Sequence, residues 1–207
     1  MTHDFHESLA QSETVSMEPW WEEIYRTEFS YFESMERIVG DCPEQRAGID
    51  RVIHLRGDAK IYVDEKVRHT DYDDILLETS SSLEHHTLGW ACKSLHSHYI
   101  VYAFLPSRRC YFLPFHLLQR ALAQNWDQWN RDFKKVDAKN HGYTTRNLAV
   151  PIDVLQKAML DATFVRWNEI PKEGMSMKSS APIAGPTLTA MELQVPDNHV
   201  DHHAKVS

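Results

Sequence analysis

The chain is short of the residues that mark several specialised classes of protein. Three cysteines in 207 residues (Cys42, Cys92 and Cys110) are too few, and odd in number, for a disulfide framework. None stands in a C-x-x-C pair, and the usage suits a reducing compartment. The seven glycines are scattered, so no phosphate-cradling glycine loop is present. Ser80-Ser81-Ser82 lacks the flanking glycines of a nucleophile elbow, which removes support for serine hydrolase chemistry. No apolar run approaches the roughly 18 residues that cross a bilayer. The first residues, MTHDFHESLAQSETVS, have neither the basic nor the apolar region of a secretory signal. A cytoplasmic location with no membrane partner is therefore expected.

What is present fits a soluble globular domain. Hydrophobic residues make up 42% and charged residues 25% of a chain long enough to bury a substantial core. The net charge of -8 lowers the expectation of a polyanionic partner, but the charge is unevenly spread. Residues 1–50 hold twelve acids against Arg26, Arg37 and Arg46, whereas residues 108–157 hold nine Lys and Arg against four Asp. A polyanion responds to the local field rather than to the total.

Residues 1–16 and 171–207 are polar and aperiodic and are expected to be flexible tails around a domain at 17–170. A helix is predicted from Glu18-Pro19, with Trp21, Ile24, Tyr25, Phe29, Phe32, Met35 and Val39 at helical spacing and Gly40 and Pro43 ending it. It reads as a scaffold covering a sheet, with Glu33, Glu36 and Gln45 as weak candidates to reach a site. Strands follow at 49–55, 60–68 and 74–79. A long polar connection spans 80–97 and contains Gly89-Trp90; such loops are often functional. Strands at 99–105 and 110–115 read as a hairpin. A helix over 114–133, a basic loop over 134–141, a strand over 143–150 and a helix from Pro151 complete the order, and 163–170 is expected to add a short piece. No internal repeat is visible. This order predicts an α/β fold, a mixed central sheet flanked by helices.

The chemistry concentrates in Gly48–Glu78. Side chains alternate along a strand, so Asp64 and Lys66 share one face and Glu65 takes the other. Pairing the first two strands through a two-residue Gly57-Asp58 turn would mix core and polar faces. Shifting the register by one residue sets Ile53 opposite Ile61 and Asp50 opposite Asp64. A one-residue slip flips every side chain, so the apolar pattern selects this second register and requires an irregular turn at 56–58. The same choice gathers Asp50, His54, Asp64 and Lys66 on one face. Two close carboxylates suit a hard divalent cation, Mg²⁺ or Mn²⁺, and the Glu65 backbone carbonyl is a further oxygen ligand. A cation so held, with a lysine beside it, is the equipment of phosphodiester hydrolysis. Gln45, His54 and Glu78 are candidates to support these groups from behind.

Gln45-x-x-Gly48-Ile49-Asp50, Tyr62-Val63-Asp64-Glu65-Lys66 and Leu76-Leu77-Glu78 together resemble the core of the PD-(D/E)XK nuclease superfamily. The nearest pattern is that of its small phage- and bacteria-type members with GID…(I/V)DEK. The resemblance covers roughly residues 45–105. It implies a restriction-endonuclease-like fold and Mg²⁺-dependent cleavage of nucleic acid, with DNA favoured. Asp50 matches the first motif acid, Asp64 the second and Lys66 the motif lysine. Two departures are that the second acid is Asp rather than Glu and that no proline precedes Asp50.

Other constellations are weaker. Cys92-x-x-x-His96-x-His98, with His85, His86 and Cys110 nearby, matches no structural zinc spacing. In the basic region, Arg108, Arg109, Lys134, Lys135 and Arg146 are candidates for contacts to nucleic acid. Trp126 and Trp129 read as core rather than as base-stacking surface. A homodimer is open to such a protein. The competing reading is a non-catalytic nucleic-acid- or protein-binding protein, or an inhibitor, on a degenerate nuclease fold, motivated by the acidic N-terminal half. An intact Asp50, Asp64 and Lys66 argue against it.

Overall fold

The computed structural model describes residues 18–164. The tails expected at 1–16 and 171–207, and most of the short piece expected at 163–170, lie outside the described residues. The architecture is mixed α/β with two sheets rather than one. Helix α1 (Trp20–Glu28) leads into β1 (Phe32–Arg37), a short helix α2 (Pro43–Arg46), β2 (Arg51–Leu55) and β3 (Ala59–Arg68). These are followed by β4 (Asp74–Ser82), β5 (Thr87–Leu88), β6 (Tyr99–Phe104) and β7 (Arg109–Pro114). Helix α3 (Phe115–Asp132), β8 (Lys135–Lys139), β9 (Thr144–Pro151) and α4 (Ile152–Asp161) close the domain.

The first sheet has five strands in the order β1-β2-β3-β6-β7, and the second has four in the order β5-β4-β9-β8. Among the described residues, only β3 and β6 pair in parallel. The other described pairs are antiparallel; short connections join β2–β3, β4–β5, β6–β7 and β8–β9, whereas β4 and β9 pair across a long stretch of chain. Among the described residues, no helix is long and apolar enough to cross a membrane.

Each face of the five-stranded sheet is covered. On one side, Trp21 and Tyr25 of α1 pack on Ile53, Val63, Val101 and Ala103. On the other, Ile100, Tyr102 and Phe104 of β6 join Ile75 and Leu77 of β4, Leu148 and Val150 of β9, and Leu118 and Trp129 of α3. Fully burying one such apolar side chain stabilises the fold by about 1.5–3 kcal/mol. Trp129 is buried in this cluster and Trp126 packs against it, as core residues rather than a stacking surface.

Several expected elements differ; the connection expected at 80–97, for one, contains the end of β4 and strand β5. The single long helix from residue 18 to 39 is instead α1 followed by the edge strand β1. Pairing of β1 with β2 shifts by one residue between Phe32 and Ser34, after which Met35 lies opposite Ile53. Such a bulge inserts one extra residue, so two side chains three apart point to the same face. Phe32 and Met35 thus mimic helical spacing while packing as strand residues on the α1 cluster. The basic loop expected at 134–141 contains strand β8, in which exposed Lys135, Asp137 and Lys139 alternate with half-buried Val136 and Ala138, a short period-two pattern that the charge had obscured.

Candidate functional site

The β2–β3 hairpin sets the site. Arg51 lies opposite Val63, Ile53 opposite Ile61 and Leu55 opposite Ala59, leaving a three-residue loop at 56–58. That loop needs left-handed backbone, which Gly57 (φ 81°) and Asp58 (φ 62°) adopt; glycine does so freely and aspartate at modest cost. This is the register selected by the apolar pattern. Asp50 stands one residue before β2, and its N–H donates to the Val63 carbonyl at 2.9 Å. The Glu65 N–H donates to Asp50 Oδ2 at 2.8 Å. Asp50 thus meets Val63, as Arg51 does, rather than continuing the ladder to Asp64, and the Asp50 and Asp64 side chains come together in the cavity instead of as a cross-strand pair.

Alternation then divides the charges between two faces. Lys66 Nζ donates to Asp64 Oδ1, so both side chains occupy the Asp50 side. Asp64 is only 3% exposed. Burial pushes its carboxyl up to about 7; the nearby Asp50 charge adds to the rise and Lys66 opposes it. For Lys66, burial acts to lower the ammonium pKa, but the carboxylates of Asp64 and Asp50 outweigh it and hold the group above its ordinary value.

Asp50, Asp64 and Lys66 open onto one cavity of about 440 Å³. Glu78 of β4 and Gln45 of α2 line the same cavity, so elements from both sheets contribute to it. Burial raises the Glu78 carboxyl, against the opposing effects of the Trp90 N–H and the Lys66 and Lys93 charges. The segment after β5 is clamped onto Glu78: the Ala91 N–H donates to the Glu78 carbonyl at 3.1 Å and the Trp90 N–H to its Oε1 at 3.3 Å. Gly89 makes this approach possible, since a Cβ there would sit 2.2 Å from the Glu78 carbonyl oxygen.

The other candidates go elsewhere. His54 does not line the cavity; its Nε2 is 3.6 Å from Glu36 Oε2, across the β1–β2 pair. The reason is distance along the strand, because His54 stands four residues from Asp50 at more than 3 Å per residue. The Glu65 side chain turns to the α1 face and binds Arg51 there. Its carbonyl, pointing to the same side of the strand as its N–H, lies toward Asp50. Arg108 and Arg109 line a different groove, beside α1. Arg109 also faces Asp71 and Asp73 at 3.8 and 3.9 Å. Arg146 is held by Asp137 through two contacts of 2.8 Å. Lys134 and Lys135 are exposed at the end of α3, where Lys135 Nζ donates to the Asn130 carbonyl. Near the former zinc candidates, His98 Nδ1 accepts the Tyr62 N–H at 3.0 Å and its ring stacks on Tyr62.

Among the lining residues that the sequence reading did not place at the site are Trp90, Lys93, Tyr102 and Asn147. Trp90 and Lys93 belong to the connection singled out as long and polar, which was the available signal. Asn147 enters because it lies opposite Glu78 in the β4–β9 pair, a contact between residues 69 apart in sequence.

The donor set can be tested against a metal. Among the described residues, no three His, Cys, Asp or Glu side chains gather as a metal-holding group. The cavity instead offers hard carboxylates at Asp50 and Asp64, with Glu78 on its wall; Glu65 is not among its lining residues. That set fits a small oxygen-seeking cation that keeps much of its water, such as Mg²⁺ or Mn²⁺. A buried carboxylate whose proton affinity is raised this far has energy to gain from a cation. Comparisons of the chain with protein-family models, with curated proteins and with solved structures returned no match.

Proposed function

We propose that the chain is a metal-dependent nuclease that hydrolyses phosphodiester bonds of nucleic acid, with DNA favoured, on a restriction-endonuclease-like core. The observation that carries this reading is the convergence of Asp50, just before β2, with Asp64 and Lys66 of β3 on a cavity shared with Glu78 and Gln45. The motif resemblance supports the same reading independently.

Asp50 and Asp64 would hold the Mg²⁺ or Mn²⁺ ion. When bound, such an ion polarises a phosphoryl oxygen and lowers the pKa of a coordinated water. Lys66, anchored by Asp64, orients the attacking water or offsets negative charge developing on the phosphoryl group. Gln45, exposed at the rim, is placed to donate to a phosphate oxygen. Lys93, the exposed cation of the cavity lining, suits a neighbouring phosphate. Arg108, Lys134 and Lys135 lie beyond the cavity and would act through a longer substrate track.

The test is a cleavage assay with Mg²⁺ or Mn²⁺ on single- and double-stranded DNA and RNA, alongside Asp64→Ala and Lys66→Ala. Cleavage by the parent protein that both substitutions abolish is the expected result. Cleavage that persists in both variants would refute the site. Tight binding to nucleic acid or protein without cleavage under any condition would instead favour the non-catalytic reading.

A further inference from the structure

The face of β2 and β3 turned away from the cavity carries a buried ionic cluster. Arg51 Nε and Nη2 donate to Glu65 Oε1 and Oε2 at 2.6 and 3.2 Å. Tyr25 of α1 donates its hydroxyl to Glu65 Oε1 at 2.6 Å. The Arg51 and Glu65 side chains are only 5% and 4% exposed, and the guanidinium carbon lies 5.9 Å from the ring centroids of Trp21 and of Tyr25. The surrounding cluster is apolar. A buried ion pair is weak evidence for stability, because desolvation offsets its attraction. Its better-attested use is to fix a register.

Its location supports that use. Strand β2 begins at Arg51, and Asp50 is held beyond the strand end by its own N–H and by the Glu65 N–H. Past this point β3 runs on to Arg68 beside β6 alone. Asp50 and Asp64 therefore meet where two strands part, the position most exposed to fraying. The Arg51–Glu65 pair spans the same fork from behind, and Tyr25 ties it to α1. Arg51 neighbours Asp50 and Glu65 neighbours Asp64, so holding one pair holds the other.

We infer that Arg51, Glu65 and Tyr25 are positioning residues: a register lock at the β2–β3 fork that keeps Asp50 and Asp64 together for metal binding. The metal part of this rests on the nuclease reading; the lock itself does not.

The experiment replaces both charges of the pair together, Arg51→Met with Glu65→Leu, so that neither is left buried without the other. Three readouts are compared with the parent protein: thermal unfolding, hydrogen exchange at the amide of residue 65 against those of Ile53 and Val101 in the same sheet, and Mn²⁺ affinity by calorimetry. The expected result is a melting temperature close to the parent value, exchange at residue 65 at least about tenfold faster with the control amides unchanged, and Mn²⁺ affinity about ten- to a hundredfold weaker. Unchanged exchange at residue 65 would overturn the lock, whatever the melting temperature. If the parent protein binds no Mn²⁺, the metal reading fails while the exchange measurement still decides the lock. Tyr25→Phe removes one hydroxyl from the cluster and covers the case in which the double variant does not fold. It should speed exchange at residue 65 by a smaller factor, and no change there would count against the inference.

Discussion

On one face of the β2–β3 hairpin, Arg51 and Glu65 neutralise each other and Tyr25 completes the cluster. On the other, two carboxylates, Asp50 and Asp64, have Lys66 as the cation bound to Asp64. The residue types are similar and the positions are sequence neighbours, so the difference is one of compensation. The back face resolves its charges internally and serves the fold. The front face gathers the Asp50, Asp64 and Glu78 carboxylates in a partly enclosed cavity with Lys66 and Lys93, where burial raises the Asp64 carboxyl and a cation would relieve it. Alternation along two strands is enough to separate these duties.

The comparison can be broken most sharply at Asp64. Asp64→Asn should lower metal-dependent cleavage by about a thousandfold or more, measured in single turnover. On the back face, Arg51→Met leaves Glu65 buried without its charge partner. It should destabilise the protein by about 3–5 kcal/mol in urea unfolding, whereas Asp64→Asn should not.

The pH dependence sharpens the same contrast. The Asp64 carboxyl titrates at about 7 in the fold against an ordinary 3.8. Folding therefore favours its protonated form: that contribution to stability is complete below about pH 4 and is lost as the pH rises through about 7. In chelator the parent protein should lose stability over this range while Asp64→Asn does not. The variant should be the more stable by about 2–4 kcal/mol near pH 8. Added Mg²⁺ should raise the melting temperature of the parent and not of the variant. A parent protein whose stability is flat from about pH 5 to 8 in chelator would remove the claim that the front face is under strain.

Two smaller effects probe the cavity wall. Gly89→Ala must move the Glu78 backbone, since the new Cβ would sit 2.2 Å from its carbonyl oxygen. A loss of about 1–3 kcal/mol in unfolding is expected. Lys93→Gln should raise KM for nucleic acid severalfold at unchanged kcat and reduce the salt dependence of binding by about one counterion.

Much of the site was legible because it is local. The hairpin joins residues 14 apart, and its period-two apolar pattern admits one register, so Asp50, Asp64 and Lys66 could be placed on one face before any coordinates. His54 followed from the same parity, but parity does not measure distance along the strand, and His54 lies with Glu36 instead. Phe32 and Met35 misled for a different reason: a bulge in an extended strand gives the three-residue spacing of a helix.

The amino-acid sequence by itself determined which face of the hairpin is apolar and that Asp50 and Asp64 share a side, because side-chain alternation and a three-residue turn are short-range constraints. The tertiary structure decided what surrounds them. Glu78 and Asn147 meet through the β4–β9 pairing, Trp90 and Lys93 arrive on a segment clamped to Glu78, and Arg51 becomes a buried ion-pair partner because α1 folds over it. None of these contacts has a local pattern, since each depends on the packing of elements far apart in the chain.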